Sequence, residues 1–131
     1  MSEAMPQEFW QGVEQFNSGQ FYACHDTLEA LWIEASEPEK TFYQGILQIA
    51  VGLYHLGNDN LRGAAILLGE GGNRLRRYPD IYAGIDVEAL LSQSGALLKV
   101  IQQMGVNKVP VGDLSENPSL PIPRILLANG E

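Results

Sequence analysis

The chain has 131 residues, 45% of them hydrophobic, which suits one domain that buries about two thirds of its unfolded surface. Eight Lys plus Arg against sixteen Asp plus Glu give a net charge of −8 and argue against unaided binding to nucleic acid or anionic lipid. Cys24 is alone, so an intrachain disulfide and a thiolate metal cluster are excluded, and no run approaches the roughly eighteen apolar residues of a membrane span. With no basic segment and apolar core opening the chain, the expected setting is cytoplasmic and reducing.

From Met1 to Glu39 there are eight acidic residues and no basic one, a pattern that reads as a solvated acidic face. Within it, Phe9, Val13 and Phe16 share one face of a first helix over Gln7 to Phe16. Pro6 stands near its start, and Asn17, Ser18 and Gly19 end it.

The second helix, Phe21 to Ala35, carries two strips. Phe21, Cys24, Leu28, Leu31 and Ala35 form a core strip, in which Cys24 is a small apolar residue. Beside it, His25, Glu29 and Trp32 repeat at helical spacing, with Tyr22 on the same strip. Pro38 stops this helix, and Ser36 with Glu39 matches a capping box that starts the third, so the two form an antiparallel hairpin.

The third helix, Glu37 to Leu56, is apolar over so wide an arc that it should be central. Phe42, Ile46, Ile49 and Leu53 lie on one strip, and Tyr43, Leu47, Ala50 and Tyr54 on the next. Gln44, Gln48, Val51 and His55 are left over. If facing residues of the hairpin have numbers summing to about 73, His25 is level with Gln48 and Glu29 with Gln44. The expectation is a polar ladder of four partnered side chains across the hairpin. His55 would then lie about 10 Å along the axis from His25, too far to share a metal ion, and no metal or other cofactor is expected.

Asn58 or Asn60 caps a fourth helix running to about Tyr78. Its GEGGNR segment lacks the preceding strand and glycine spacing of a phosphate loop, so Gly69, Gly71 and Gly72 read as a kink or a close helix contact. Arg74, Arg76 and Arg77 fall in the last turn, where cations complement the helix dipole. Pro79 to Ile85 is a loop, and Asp86 caps a fifth helix that ends at Gly105. Beyond it, Pro110, Pro118, Pro121 and Pro123 predict an extended tail, with Leu120, Ile122 and Ile125 to Leu127 packed on the bundle or on a neighbour. The fold class is therefore all-α: a compact bundle of about five helices over residues 1–105, built on a central antiparallel hairpin, with a tail over 106–131.

Three segments in order, FNSGQFYACHDTLEALW, FYQGILQIAVGLYHLGNDNLRGAAILL and YPDIYAGIDVEALL, resemble the domain-of-unknown-function family 309 over roughly Phe9 to Leu91. The family's pattern falls on His25, Asp26, Glu29 and Trp32, with Asp26 standing where a glutamate is expected. Its further segments fall on Gln44, Gly45 and Gln48, and on Asn60, Gly63 and Ala64. The resemblance implies a compact helical fold and no particular activity.

The residues point to a small binding or interaction module whose contact strip is Tyr22, His25, Glu29, Trp32, Gln44 and Gln48, for a small ligand or protein partner. Two other classes stay open. One is a hydrolase-like acid/base or metal-dependent enzyme centred on His25 and Glu29, and the other is a structural homo-oligomer that uses the apolar tail.

Overall fold

The computed structural model describes residues 5–107 and 120–128 of the chain, without the side chains of 105–107. It contains helices α1 (Gln7–Asn17), α2 (Phe21–Glu34), α3 (Glu39–Gly57), α4 (Leu61–Leu75) and α5 (Val87–Asn107). A two-stranded hairpin, β1 (Ile81–Tyr82) and β2 (Ile85–Asp86), joins α4 to α5. The fold is all-α, as the apolar periodicity implies, and among the described residues no helix is long and apolar enough to cross a membrane.

Helix α3 is the axis of the bundle. Its Phe42, Ile46, Ile49 and Leu53 are fully enclosed and belong to one core with Phe9 and Phe16 of α1, Cys24 and Leu28 of α2, Leu68 and Leu75 of α4, and Leu90 and Leu97 of α5. Each such large side chain contributes about 1.5–3 kcal/mol by leaving water. This core is what fixes the rotation of α2 and α4 about α3, and hence which polar residues remain on the outer face.

Between α3 and α4 the backbones touch. A Cβ added at Gly71 would stand 2.6 Å from the Gly45 carbonyl oxygen, so the glycines read from GEGGNR serve a close helix contact and α4 is not broken there. Asn60 caps α4 by accepting the Gly63 N–H at 2.9 Å, and Asp86 caps α5 by accepting the Ala89 N–H at 2.9 Å.

The start of α3 differs from expectation. The helix begins at Glu39 with Pro38 as its N-cap and no capping side chain at that position. The Ser36 and Glu39 capping box does not form. Glu37 takes over instead, accepting the Thr41 N–H at 2.9 Å and the Thr41 hydroxyl at 2.6 Å, and these two bonds hold its carboxyl below the usual carboxylate range. The expected loop at Pro79 to Ile85 also contains the short hairpin. Its turn residues Ala83 and Gly84 both have positive φ, 54° and 81°, the geometry of a two-residue hairpin turn whose twist matches its strands.

The described part of the tail, 120–128, is extended and docks on the bundle of its own chain. Leu120 and Ile125 enter the core, Leu127 bridges Ile85 beside β2, and Asp86 N–H donates to the Leu126 carbonyl at 2.8 Å. The segment over 108–119, with Pro110 and Pro118, lies outside the described residues.

Candidate functional site

Two neighbours of α3 divide its surface. Tyr54 of α3 meets Tyr22 of α2 ring to ring at 5.0 Å, while Gln48 donates from Nε2 to the Glu70 Oε1 of α4 at 3.2 Å. Tyr54 and Gln48 lie on well-separated strips of α3, because six residues advance an α-helix by far from a whole number of turns. The strip Gln44, Val51 and His55 runs between them, so α2 and α4 flank a shallow polar face whose floor is α3.

This arrangement overturns the four-membered ladder. His25 does not bond to Gln48. Its Nδ1 lies 3.2 Å from Asp26 Oδ1 and its Nε2 lies 3.6 Å from Glu29 Oε2, both on its own helix. The physical reason is rotation and register. Gln48 turns toward α4, and the Tyr22–Tyr54 contact moves α2 along the hairpin so that His25 comes nearer the level of Val51. Gln44 and Glu29 are likewise not hydrogen-bonded to one another.

The strip on α2 survives as a surface feature. Tyr22 is 52% exposed and packs on the His25 ring at 5.6 Å. The side chains of His25 and Glu29 are 20% and 45% exposed, so the imidazole is reachable from solvent while its two ring nitrogens each face a carboxylate. Trp32, half-buried, is covered by Lys40, whose Nζ lies 4.7 Å from the ring centre and donates to the Trp32 carbonyl at 2.8 Å. This lysine supplies a cation–π contact and closes the α2 end of the strip.

Two residues on α4, absent from the strip expected from sequence, border the same face. Glu70 is exposed and receives Gln48, and Arg74 follows it by one turn on the same strip. Gln48 is only 9% exposed, and its Oε1 has no partner. Arg74 Nε is also enclosed without a partner. The signal in the sequence was the i, i+4 spacing of an acid and a base around the glycines, which the helix-dipole role of Arg74 obscured.

His55 stands apart at the C-terminal end of α3, with Nδ1 3.4 Å from the Asn60 side-chain nitrogen. Among the described residues, no three His, Cys, Asp or Glu side chains are placed to hold a metal ion. Cys24 is fully buried, and burial pushes its thiol up to about 12, so it is a core group and not a nucleophile.

A second concavity opens at the end of the bundle where α1 meets α2 and α3 meets α4. This cleft of about 920 Å³ has Phe16, Phe21, Leu53 and Tyr54 on its apolar side and Asn17 and Arg124 on its polar rim. Tyr54 lines it while touching Tyr22, which links the cleft to the α2 strip.

An uncharacterised protein of Bacillus subtilis (strain 168), YpuF, is 31% identical over 93 residues, covering 70% of this chain and 51% of its own length. The chain thus spans about half the length of that relative. A family model, Domain of unknown function (DUF309), matches residues 9–67, which include most of α1, all of α2 and α3 and the first part of α4 but not the segment that starts at Tyr78. The strip His25, Asp26, Glu29 and Trp32, the floor residues Gln44 and Gln48, and the Asn60 cap all fall within the match, so residues 9–67 are similar to the DUF309 family.

Proposed function

We propose that the protein is a small binding module, and that its contact surface is the polar face where α2 and α4 flank α3. The carrying observation is Gln48. A side chain 9% exposed, with its amide nitrogen on Glu70 and its amide oxygen unpartnered, leaves an acceptor whose desolvation costs about 1–3 kcal/mol until something donates to it. A native fold tolerates such a group where a ligand completes it. On the α2 side of the same face stand the exposed Tyr22, the reachable His25 and Glu29, which offer an aromatic surface and several hydrogen-bonding groups. The lone buried thiol fits a reducing, cytoplasmic setting.

An acid/base enzyme centred on His25 is the second reading, favoured by the carboxylates of Asp26 and Glu29 beside its two nitrogens. The same geometry weakens it as a general base, since each nitrogen already faces a carboxylate of its own helix.

A thermal-shift screen of small polar compounds, with hits mapped by amide chemical shifts, tests the binding reading. Saturable hits that move Tyr22, His25, Gln44, Gln48 and Glu70 support it. Hits confined to the Phe16, Tyr54 and Arg124 cleft overturn it, as does a screen without any saturable hit.

A further inference from the structure

We infer that the outward side of α2 docks a basic amphipathic helix of a protein partner, a role that goes beyond the polar face and shares only Tyr22 and Glu29 with it. Tyr22, Asp26, Glu29 and Ile33 stand four, three and four residues apart. On an α-helix that spacing keeps all four within an arc of about 60°, in one row about 16 Å long. The opposite side of α2 holds Phe21, Cys24 and Leu28 in the core, while the row itself is open. Tyr22 is 52% exposed and Ile33 63%, and the side chains between them, Asp26 and Glu29, are 63% and 45% exposed.

A single exposed apolar residue needs no partner. Tyr22 is not single: its ring meets Tyr54, itself 40% exposed, and Tyr54 lines the cleft together with Phe16, Phe21 and Leu53. One end of the row therefore opens on an apolar concavity that admits a bulky anchor side chain.

Charge says what covers the row. Among the described residues Asp26 and Glu29 have His25 as their charged partner, and it carries at most one positive charge against their two. No lysine or arginine precedes Lys40 in the chain, and Lys40 is held on the Trp32 ring and carbonyl. The row stays negative, so the partner's facing groups are Lys or Arg. Spacing selects a helix. A helix laid along α2 has the same rise of about 1.5 Å per residue, so its own residues four, three and four apart meet the row level by level. An extended chain, rising about 3.3 Å per residue, turns alternate side chains away and cannot face both Asp26 and Glu29 as well as the two ends. The partner's face is thus apolar, basic, basic and apolar, with the bulkier apolar group at the Tyr22 end.

The probe is a synthetic alanine–glutamine helix carrying phenylalanine, arginine, arginine and leucine at that spacing. Its isomer has both arginines moved to the opposite side. Composition and net charge are identical, so a difference between them reads the row and not general attraction to an acidic protein. Fluorescence titration of the wild-type full chain should show the matched peptide binding about fivefold or more tighter than the isomer. Amide shifts should appear at Tyr22, Asp26, Ile33 and Tyr54, and replacing the peptide's phenylalanine by alanine should weaken binding about tenfold. Asp26→Asn combined with Glu29→Gln should abolish the preference between the isomers. The peptide comparison needs no variant, so it stands even if that substitution disturbs folding. Equal binding of the two isomers overturns the inference, as does no binding of the matched peptide or shifts confined to Gln48 and Glu70. Small polar compounds that still map to Gln44 and Gln48 would then keep the polar face as a separate site.

Discussion

Asn17 and Ile125, 108 residues apart, exchange two hydrogen bonds: the Asn17 amide donates to the Ile125 carbonyl at 2.9 Å and accepts the Ile125 N–H at 2.8 Å. A side chain at the end of α1 thus imitates the edge of a neighbouring strand. Gln93 of α5 does the same for Arg124, donating to its carbonyl at 3.0 Å and accepting its N–H at 3.0 Å. Successive residues of an extended chain turn their backbone groups to opposite sides, so the tail is gripped from both. Both grips act on backbone and leave the sequence of the tail free, while Ile125 itself fills the core.

Asn17→Ala removes both bonds to Ile125 and leaves its backbone groups part-buried and unmet. The expected loss is about 1–3 kcal/mol, seen in urea unfolding. Faster hydrogen exchange at the Ile125 amide, with α3 amides unchanged, would locate that loss in the tail. Unchanged exchange at Ile125 would show that the grip is not formed in solution.

Gly71→Ala tests the contact between α3 and α4. The new Cβ would lie 2.6 Å from the Gly45 carbonyl oxygen and 2.8 Å from Ile49 Cγ1, and backbone cannot move aside as a flexible side chain would. Alanine favours a helix by about 1 kcal/mol over glycine, yet forcing apart a packed interface costs about 1–3 kcal/mol. The variant should be less stable than wild type. Gly69→Ala, where an added Cβ meets nothing within 4 Å, should be more stable, and the pair of melting temperatures decides the matter.

The contrast between these glycines shows what the sequence could and could not carry. Apolar periodicity located all five helices and the central place of α3, because burial of a stripe is a local property of spacing. Asp86 was legible as a cap for the same reason, and Asn60 as one of two candidates with Asn58. The cross-hairpin ladder was not, since pairing His25 with Gln48 depends on the rotation of two helices about each other. That rotation is set by distant contacts such as Gly45 with Gly71. Glu70 and Arg74 were missed on similar grounds: their role depends on a bond from Gln48, 22 residues earlier than Glu70. The start of α3 failed more locally, with Glu37 and Thr41 supplying the bonds assigned to Ser36 and Glu39.

Glu29→Ala now carries a different expectation from a buried ladder. The side chain is 45% exposed and its nearest charged partner, His25 Nε2, stands at 3.6 Å in an i, i+4 pair. Exposed pairs of this kind contribute about 0.3–0.5 kcal/mol, so the variant should unfold within about 0.5 kcal/mol of wild type. A loss several times larger would mean that Glu29 is tied into the core by a contact absent from this structure.

Cys24 should resist thiol reagents in the folded chain. Its side chain is fully enclosed, and burial pushes the thiol up to about 12, so almost no thiolate is present near neutral pH. Labelling by a disulfide-exchange reagent should be slow in buffer and fast in denaturant, with a rate that follows the unfolded population. Rapid labelling of the native protein would show that α2 opens locally at its centre.

Alkaline pH should weaken the fold through the tyrosines around the α2–α3 turn. Tyr82 donates its hydroxyl to Glu39 Oε2 at 2.9 Å and packs on Phe42 and Tyr78. Its pKa is pushed up to about 12, first by burial, then by the hydrogen bond to Glu39 and by that carboxylate's charge. Tyr78 and Tyr43 are raised as well, chiefly by burial, with Glu37 and Glu39 adding to it. In the unfolded chain these phenols titrate near 10. Below about pH 10 both states keep the protons and stability is unaffected; from there to about 12 the unfolded chain has released a proton that the folded Tyr82 retains. Stability must therefore fall as pH rises through this window. Urea unfolding at about pH 9 and about pH 11 should show that fall, and Tyr82→Phe should make it shallower without abolishing it, since Tyr78 and Tyr43 remain. An equal fall in the variant would remove Tyr82 from the account.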